Sequence, residues 1–281
     1  MLLSDNHVHT NFSSDSDTPM EAMLLQAQKI GLSSICFTDH IDYGFPAEKY
    51  HMDFVFPMED YFAKVSKLSK QFPSLPIRTG VELGLKEDIL PLAVSLTDKH
   101  DFDFVIGSTH LVDNIDPYYE EYWDAYGEEG GIQHYYEVTY ENICNTFDFD
   151  VYGHIDYVIR YCPTIKKSRK AGQINEAFYQ SSMQKNKELI DEILLTLIQK
   201  NRGIEINTGG LKYGLGHPNP NEDILKRYHT LGGTIVTVGS DAHETKYLGY
   251  CFDKLPSLLW NCGFRSYFEF HKRKAVPIPL S

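Results

Sequence analysis

The sequence predicts an α/β fold, a closed or nearly closed parallel barrel, with residues 1–281 as a single domain. Three observations predict it. Short β-branched runs alternate with longer amphipathic runs seven times along the chain, the pattern of strand–helix units that share a parallel sheet. The short runs are apolar throughout, as suits strands covered on both faces. No glycine-rich dinucleotide loop follows any of them, which favours a barrel over an open doubly wound sheet. A chain of 281 residues is an ordinary length for one barrel.

Strands are expected at residues 2–8, 34–38, 77–83, 102–108, 149–154, 203–207 and 234–240. The first helix is expected over 19–30, with Thr18 as its N-cap and Pro19 at the first helical position. Further helical patterns cover 58–71, 87–98, 132–146, 174–201 and 221–231. In the run 174–201, Ile190, Ile193, Leu194, Leu197 and Ile198 form one apolar stripe, and Gly203 follows as a stop. Residues 111–131 and 160–172 read as long insertions, and loops of that length in a compact domain are usually functional.

Composition narrows the function. Lys plus Arg number 26 and Asp plus Glu 39, a net charge of −13. Such a chain repels a phosphodiester backbone over most of its surface, so nucleic acid is not an expected partner. No apolar run approaches the ~20 residues that cross a bilayer, and the start MLLSDNHVHT lacks the cationic region of a signal peptide. Five cysteines, with no C-x-x-C pair, read as free thiols in a reducing cytosol. The expected location is therefore cytoplasmic, with no membrane partner.

Histidine placement carries the chemistry. His7 and His9 end the first expected strand, Asp39 and His40 the second, and Glu82 lies near the end of the third. His110 follows the fourth strand, His154 ends the fifth, and Asp241 and His243 follow the seventh. The carboxyl ends of barrel strands share one mouth, where such folds place their sites. Residues i and i+2 of a strand point the same way, so His7 and His9 present two imidazoles together while Val8 faces the opposite side. Imidazole and carboxylate suit divalent transition metals. Six histidines with Glu82, Asp241 and an acid of the 10–18 loop exceed one tetrahedral site and suffice for two or three ions. The other histidines (His51, His100, His134, His217, His229 and His271) read as ordinary loop or helix residues.

These residues lie in the motifs DNHVHT (5–10), TDH (38–40), GVE (80–82), GSTH (107–110), GHID (153–156), EINT (205–208) and GSDAH (239–243). In that order they resemble the PHP family, named for polymerase and histidinol phosphatase. The GHIDYVIRY and EINTGGLKYG segments resemble its histidinol-phosphatase branch. The resemblance implies a distorted (β/α)7 TIM-like barrel and three divalent ions, zinc, manganese or iron. His7, His9, Glu82 and Asp241 would hold the first, and Glu82 would bridge to a second completed by His110 and His154. Asp15, His40 and His243 would hold the third, with Asp17 the alternative acid in that loop.

The activity so implied is hydrolysis of a small-molecule phosphate monoester, L-histidinol phosphate, by attack of a metal-bridging hydroxide. Glu82, Asp241 and His243 are the candidate catalytic residues, the last two for the leaving-group proton. Arg160 is expected to make a forked contact to phosphate, with Lys212 and Ser108 beside it. Asp42, Tyr43, Asp113, Tyr118 and Tyr119 are available to the amine and imidazole of the substrate. The alternatives are a protein-tyrosine phosphatase, a nuclease using Lys166, Lys167, Arg169 and Lys170, an amidohydrolase, or a metal-binding module without turnover.

Overall fold

The computed structural model describes residues 4–280. Its strands are β1 (Asp5–Val8), β2 (Ile35–Phe37), β3 (His40–Ile41), β4 (Ile77–Gly84), β5 (Phe104–Ser108), β6 (Val151–Tyr152), β7 (Gly203–Asn207), β8 (Val236–Gly239), β9 (Ser266–His271) and β10 (Lys274–Pro279). Seven parallel strands run in the order β1-β2-β4-β5-β6-β7-β8, and β3 pairs with the upper part of β4. The first and last of them meet just past their ends. The Asp241 N–H donates to the His7 carbonyl at 2.9 Å, and the His9 N–H donates to that of Ala242 at 3.0 Å. These bonds make a nearly closed, distorted (β/α)7 TIM-like barrel.

Strand alternation divides each sequence between two environments. Ile35, Phe37, Val81, Leu83, Val105, Ile204, Ile206, Val236 and Val238 pack outward into the main core. The inward residues change character with height. Cys36, Phe104, Ile106 and Val151 fill the lower barrel and pack on Phe270. Above them come Glu82, Ser108, Glu205 and Asn207, all buried. The apolar floor thus supports a polar rim.

Several expected elements take a different form. Residues 2 and 3 of the first expected strand lie outside the described residues. Thr18 does not cap the first helix, Met20–Ile30; Pro19 occupies that position, while the Thr18 hydroxyl donates to the His243 carbonyl. The strand expected over 149–154 is only Val151–Tyr152, because the His154 N–H turns to donate to Glu205 Oε2 at 3.0 Å. Helix 87–98 opens as a 3-10 turn, Glu87–Ile89, before Leu90–Lys99. The run 174–201 is two helices, Glu176–Lys185 and Lys187–Gln199. Its left-handed stop is Asn201, φ 55°, while Gly203 begins β7. Most of the second half of the 111–131 insertion is helical, since that helix spans Glu120–Cys144 with a break at Gly127, φ 67°. The 160–172 insertion contains the helix Pro163–Lys170.

The hairpin β9–β10 was not expected from the sequence. Its turn residues Lys272 and Arg273 are both left-handed, φ 49° and 63°, a costly conformation for residues other than glycine. Asp103 and Asp150 hold it beneath the barrel. Asp103 accepts from the Lys272 N–H at 3.0 Å, and Arg273 Nε donates to Asp150 Oδ2 at 2.6 Å. Asp150 is buried and also accepts from the Val105 N–H at 2.8 Å. Burial pushes its carboxyl up, against the pull of Arg273. Arg273→Ala leaves that carboxylate buried without its cation. The expected loss, by urea denaturation of the metal-loaded chain, is about 2–3 kcal/mol, because the guanidinium is itself partly exposed. An unchanged midpoint would show that the plug does not depend on this pair.

Candidate metal centre

The upper rim brings the expected ligands together. His7 Nε2 lies 2.9 Å from His9 Nε2 and 3.1 Å from Glu82 Oε2. Glu82 is central: Oε1 lies 2.8 Å from His154 Nε2 and 3.2 Å from His110 Nε2, and Oε2 lies 3.0 Å from His40 Nδ1. Asp241 Oδ1 is 3.4 Å from His9 Nε2. Asp15 Oδ2 approaches His243 Nε2 at 3.1 Å and His40 Nε2 at 3.7 Å. Asp15, not Asp17, is thus the loop acid among these imidazoles.

Local sequence explains the convergence. His7 and His9 point inward because they flank Val8 on one strand edge. Gly239 lies against both the His7 side chain and Glu205, and a β-carbon there would collide with each. Asp241 sits at φ 55°, a strained position for an aspartate. That turn lets its N–H close the barrel seam while its carboxylate faces the imidazoles.

The donor set fits divalent metal ions. A ligating imidazole offers one nitrogen and donates through the other to a neighbouring acceptor, which fixes the ring. His7 Nδ1 lies 2.6 Å from Glu205 Oε1, His110 Nδ1 2.8 Å from Asp42 Oδ2, His9 Nδ1 3.2 Å from Ser13 Oγ and His243 Nδ1 3.1 Å from the Asp241 carbonyl. All four therefore present Nε2 to the rim. Buried His40 Nδ1 has no hydrogen-bond partner of good geometry despite its nearness to Glu82. Four triads place one ligand atom per residue within 4.8 Å of each other: His7–His9–Glu82, Glu82–His110–His154, His9–His40–His243 and His40–Asp42–His110. This clustering marks a divalent metal-binding centre.

Charges within the cluster are tightly coupled. Burial favours neutral Glu82, yet the rings of His7, His110 and His40 hold its carboxyl well below the usual range. Burial also opposes charge on His7, but Glu205, Glu82 and Asp241 keep that ring protonated well above the usual imidazole range. His9 goes the other way: burial and its neighbours His243 and His40 drive its pKa down. A cluster with this many buried imidazoles and so few acids is one that cations complete.

A cavity of about 240 Å³ opens above the ligands. His154, His110 and His40 are among its lining. The cations Arg160 and Lys212 and the acids Asp42 and Asp116 also line it. Arg160 is almost fully buried. Its Nη1 donates to Asp241 Oδ2 at 3.4 Å and its Nη2 to Asn219 Oδ1 at 2.9 Å. Asn219 Nδ2 donates in turn to Asp156 Oδ1 at 2.6 Å, and the Tyr179 hydroxyl donates to Asp156 Oδ2.

Two expected substrate contacts are engaged elsewhere. Ser108 is fully buried and donates to Glu82 Oε1 at 2.7 Å, so it faces a ligand. Asp42 gives one oxygen to His110, and the other packs against Gly84. Tyr43 is half-buried, Asp113 pairs with His134 and Tyr126, and Tyr118 is largely exposed. Among the remaining histidines, buried His217 packs edge-on against Tyr179, and His271 lies in β9 rather than in a loop or helix.

Glu205, Asn207, Asn219 and Asp116 were not singled out from the sequence for the site. Glu205 and Asn207 had a signal, two polar side chains at i and i+2 in an otherwise apolar strand. Asp116 lines the cavity and accepts from the Tyr118 N–H at 2.8 Å. Burial pushes its carboxyl up to about 6.

Comparison with known proteins agrees with this geometry. The family model of the PHP domain matches residues 5–209. A Clostridium acetobutylicum protein named probable histidinol-phosphatase is 32% identical over 97% of this chain and 98% of its own length. The histidinol-phosphatase of Lactococcus lactis subsp. lactis is 31% identical over 96% of this chain and 95% of its own. The crystal structure of histidinol phosphate phosphatase from Lactococcus lactis subsp. lactis, complexed with zinc, L-histidinol and phosphate, superposes with a TM-score of 0.84. That alignment has 30% identity and covers 98% of this chain and 99% of the other. The rim of histidines and acids, the barrel that carries it and the match across residues 5–209 lead to one assignment: the chain belongs to the PHP family.

Proposed function

We propose that this protein is a histidinol-phosphatase: it hydrolyses L-histidinol phosphate to L-histidinol and phosphate. One observation carries the reading, a cavity lined both by the candidate metal ligands and by side chains of either charge. A phosphate dianion suits the metal ligands and Arg160, and an ammonium suits Asp116. The relatives named for this activity span nearly the whole chain.

The ligand sets are assigned as three. His7, His9, Glu82 and Asp241 hold one ion, Glu82, His110 and His154 a second, and Asp15, His40 and His243 a third; zinc, manganese and iron all suit these donors. Divalent ions bound there supply an acidified water and positive charge for the phosphoryl oxygens. Arg160 binds a phosphoryl oxygen, oriented by Asn219, and Lys212 adds charge at the entrance. His243 ligates through Nε2 and has Nδ1 committed, so it has no proton to offer the cavity. Asp241 keeps Oδ2 toward Arg160 and Asn207. Against burial, those donors and the imidazoles hold it ionised, so Asp241 acts as a ligand and an orienting anion rather than a proton relay. The leaving alkoxide takes the proton given up by the attacking water as the ester P–O bond breaks. Ser108, Glu205 and Asp42 position Glu82, His7 and His110.

Among the described residues no helix is long and apolar enough to cross a membrane, and a biosynthetic phosphatase of this kind is expected in the cytoplasm. The decisive experiment is a substrate panel at saturating zinc or manganese: histidinol phosphate, a phosphotyrosine peptide, single-stranded DNA and simple sugar phosphates. The expected result is a kcat/KM preference of at least about 10²-fold for histidinol phosphate, the scale of one well-placed charged contact. A flat profile would refute the substrate assignment while leaving the metal centre standing.

A further inference from the structure

A second cavity, about 990 Å³, adjoins the first and shares Tyr161, Lys212 and Tyr213 with it. Cations crowd the rings at this junction. Over Tyr213 stand Arg160, Lys212 and Arg169, at 4.9, 5.1 and 5.3 Å from the ring centroid. Lys166 lies 5.4 Å from the centroid of Tyr161, whose ring Arg160 also approaches at 6.0 Å. The helix Pro163–Lys170 adds Lys170 to the same groove.

These charges are poorly neutralised. Among the described residues Glu120 is the one acid lining the groove. Lys166 and Arg169 donate instead to main-chain carbonyls, of Tyr118 at 2.9 Å and of Arg160 at 3.0 Å. Among the described residues neither they nor Lys170 and Lys212 form a carboxylate pair within 4.0 Å. Acids outnumber bases 39 to 26 in this chain, so a partly buried cluster of unpaired cations runs against its composition. Such a cluster is costly unless an anion relieves it. Burial also lowers the proton affinity of Lys166, against the pull of Glu120 and Asp116 and with a smaller push from Arg169 and Lys170.

Histidinol is the wrong relief, since its amine is a cation. We propose that the groove is a second anion subsite and that it confers a further activity: hydrolysis of small phosphomonoesters bearing a second phosphate or carboxylate. The scissile phosphoryl group occupies the central cavity, and the second anionic group lies against Lys166, Arg169 and Lys170. The reaction is that of the central cavity: the ester P–O bond breaks, water oxygen bonds to phosphorus, and the leaving alkoxide takes the proton. The inference rests on the phosphomonoesterase reading above, and extends it to a substrate class of opposite charge.

The test uses the metal-loaded full chain and a matched pair, fructose 1,6-bisphosphate and fructose 6-phosphate, with histidinol phosphate as reference. At low ionic strength kcat/KM is expected to favour the bisphosphate by at least about tenfold. The double variant Lys166→Glu, Lys170→Glu should abolish that preference through KM and leave histidinol phosphate within twofold. Turnover of histidinol phosphate without any bisphosphate preference overturns this inference alone. So does an equal loss on all three substrates, which would make the groove a general attractor for phosphate. Failure of the unmodified chain on every phosphomonoester overturns the activity assigned to the central cavity as well.

Discussion

Glu82→Gln is expected to lower kcat/KM on histidinol phosphate by on the order of 10³-fold, or ~4 kcal/mol at 1.36 kcal/mol per decade. The far-UV circular dichroism should stay unchanged. Among the described residues Glu82 is the one side chain that approaches His7, His40, His110 and His154 together. A glutamine keeps the volume and removes the charge. Its amide also points donor hydrogens at imidazole nitrogens that are themselves aimed inward. The bound metal, measured by elemental analysis after gel filtration, should fall along with the rate. A variant that retains both full metal content and full activity would end the bridging role assigned to this carboxylate.

Arg160→Met should cost about 10²–10³-fold in kcat/KM, the range seen when one preorganised donor to developing charge is removed. Methionine roughly preserves the packing on Tyr157 and Tyr213 while deleting the fork. Product inhibition gives a readout separate from turnover: inorganic phosphate should inhibit the variant far more weakly than the parent. Asn219→Ala should move both quantities in the same direction by a smaller factor, since it frees the guanidinium without removing it. Its amide orientation is fixed from behind, because Asp156 accepts from Nδ2 and leaves Oδ1 for the arginine. Equal phosphate inhibition in parent and Arg160→Met would show that the arginine serves only to neutralise Asp241.

The barrel and its imidazoles were legible in the sequence because both follow from local rules. Alternation in a strand fixes His7 and His9 on one side, and the carboxyl ends of parallel strands share a mouth whatever the loops do. The residues behind them were less legible. Asp42 serves His110, Glu205 serves His7, and Asn219 serves Arg160 across 68, 198 and 59 positions of sequence. Nothing local distinguishes such an acid from one that meets a substrate, and Asp42 was accordingly expected at the ligand. Ser108 shows the same ambiguity, since an inward serine can face either a ligand or the residue that holds it. The helix from Glu120 was obscured by Gly127, Gly130 and Gly131, which argue against helix before tertiary packing outweighs them. The closing hairpin was obscured by Pro277 and Pro279, which a strand tolerates at an edge.

The seam between β1 and β8 joins groups 235 positions apart, as in the bonds that Ser240 donates to the Asp5 carboxylate. His7 and His9 come from one side of that seam, Asp241 and His243 from the other. A polypeptide still emerging from the ribosome carries five of the six rim imidazoles before Asp241 and His243 exist, so the groupings that draw on both sides of the seam are complete only once β8, the last barrel strand, has been made. Ions held by those groupings would cross-link early and late portions of the chain. Depletion of metal should loosen both at once, exposing them to proteases before the helical layer between them gives way.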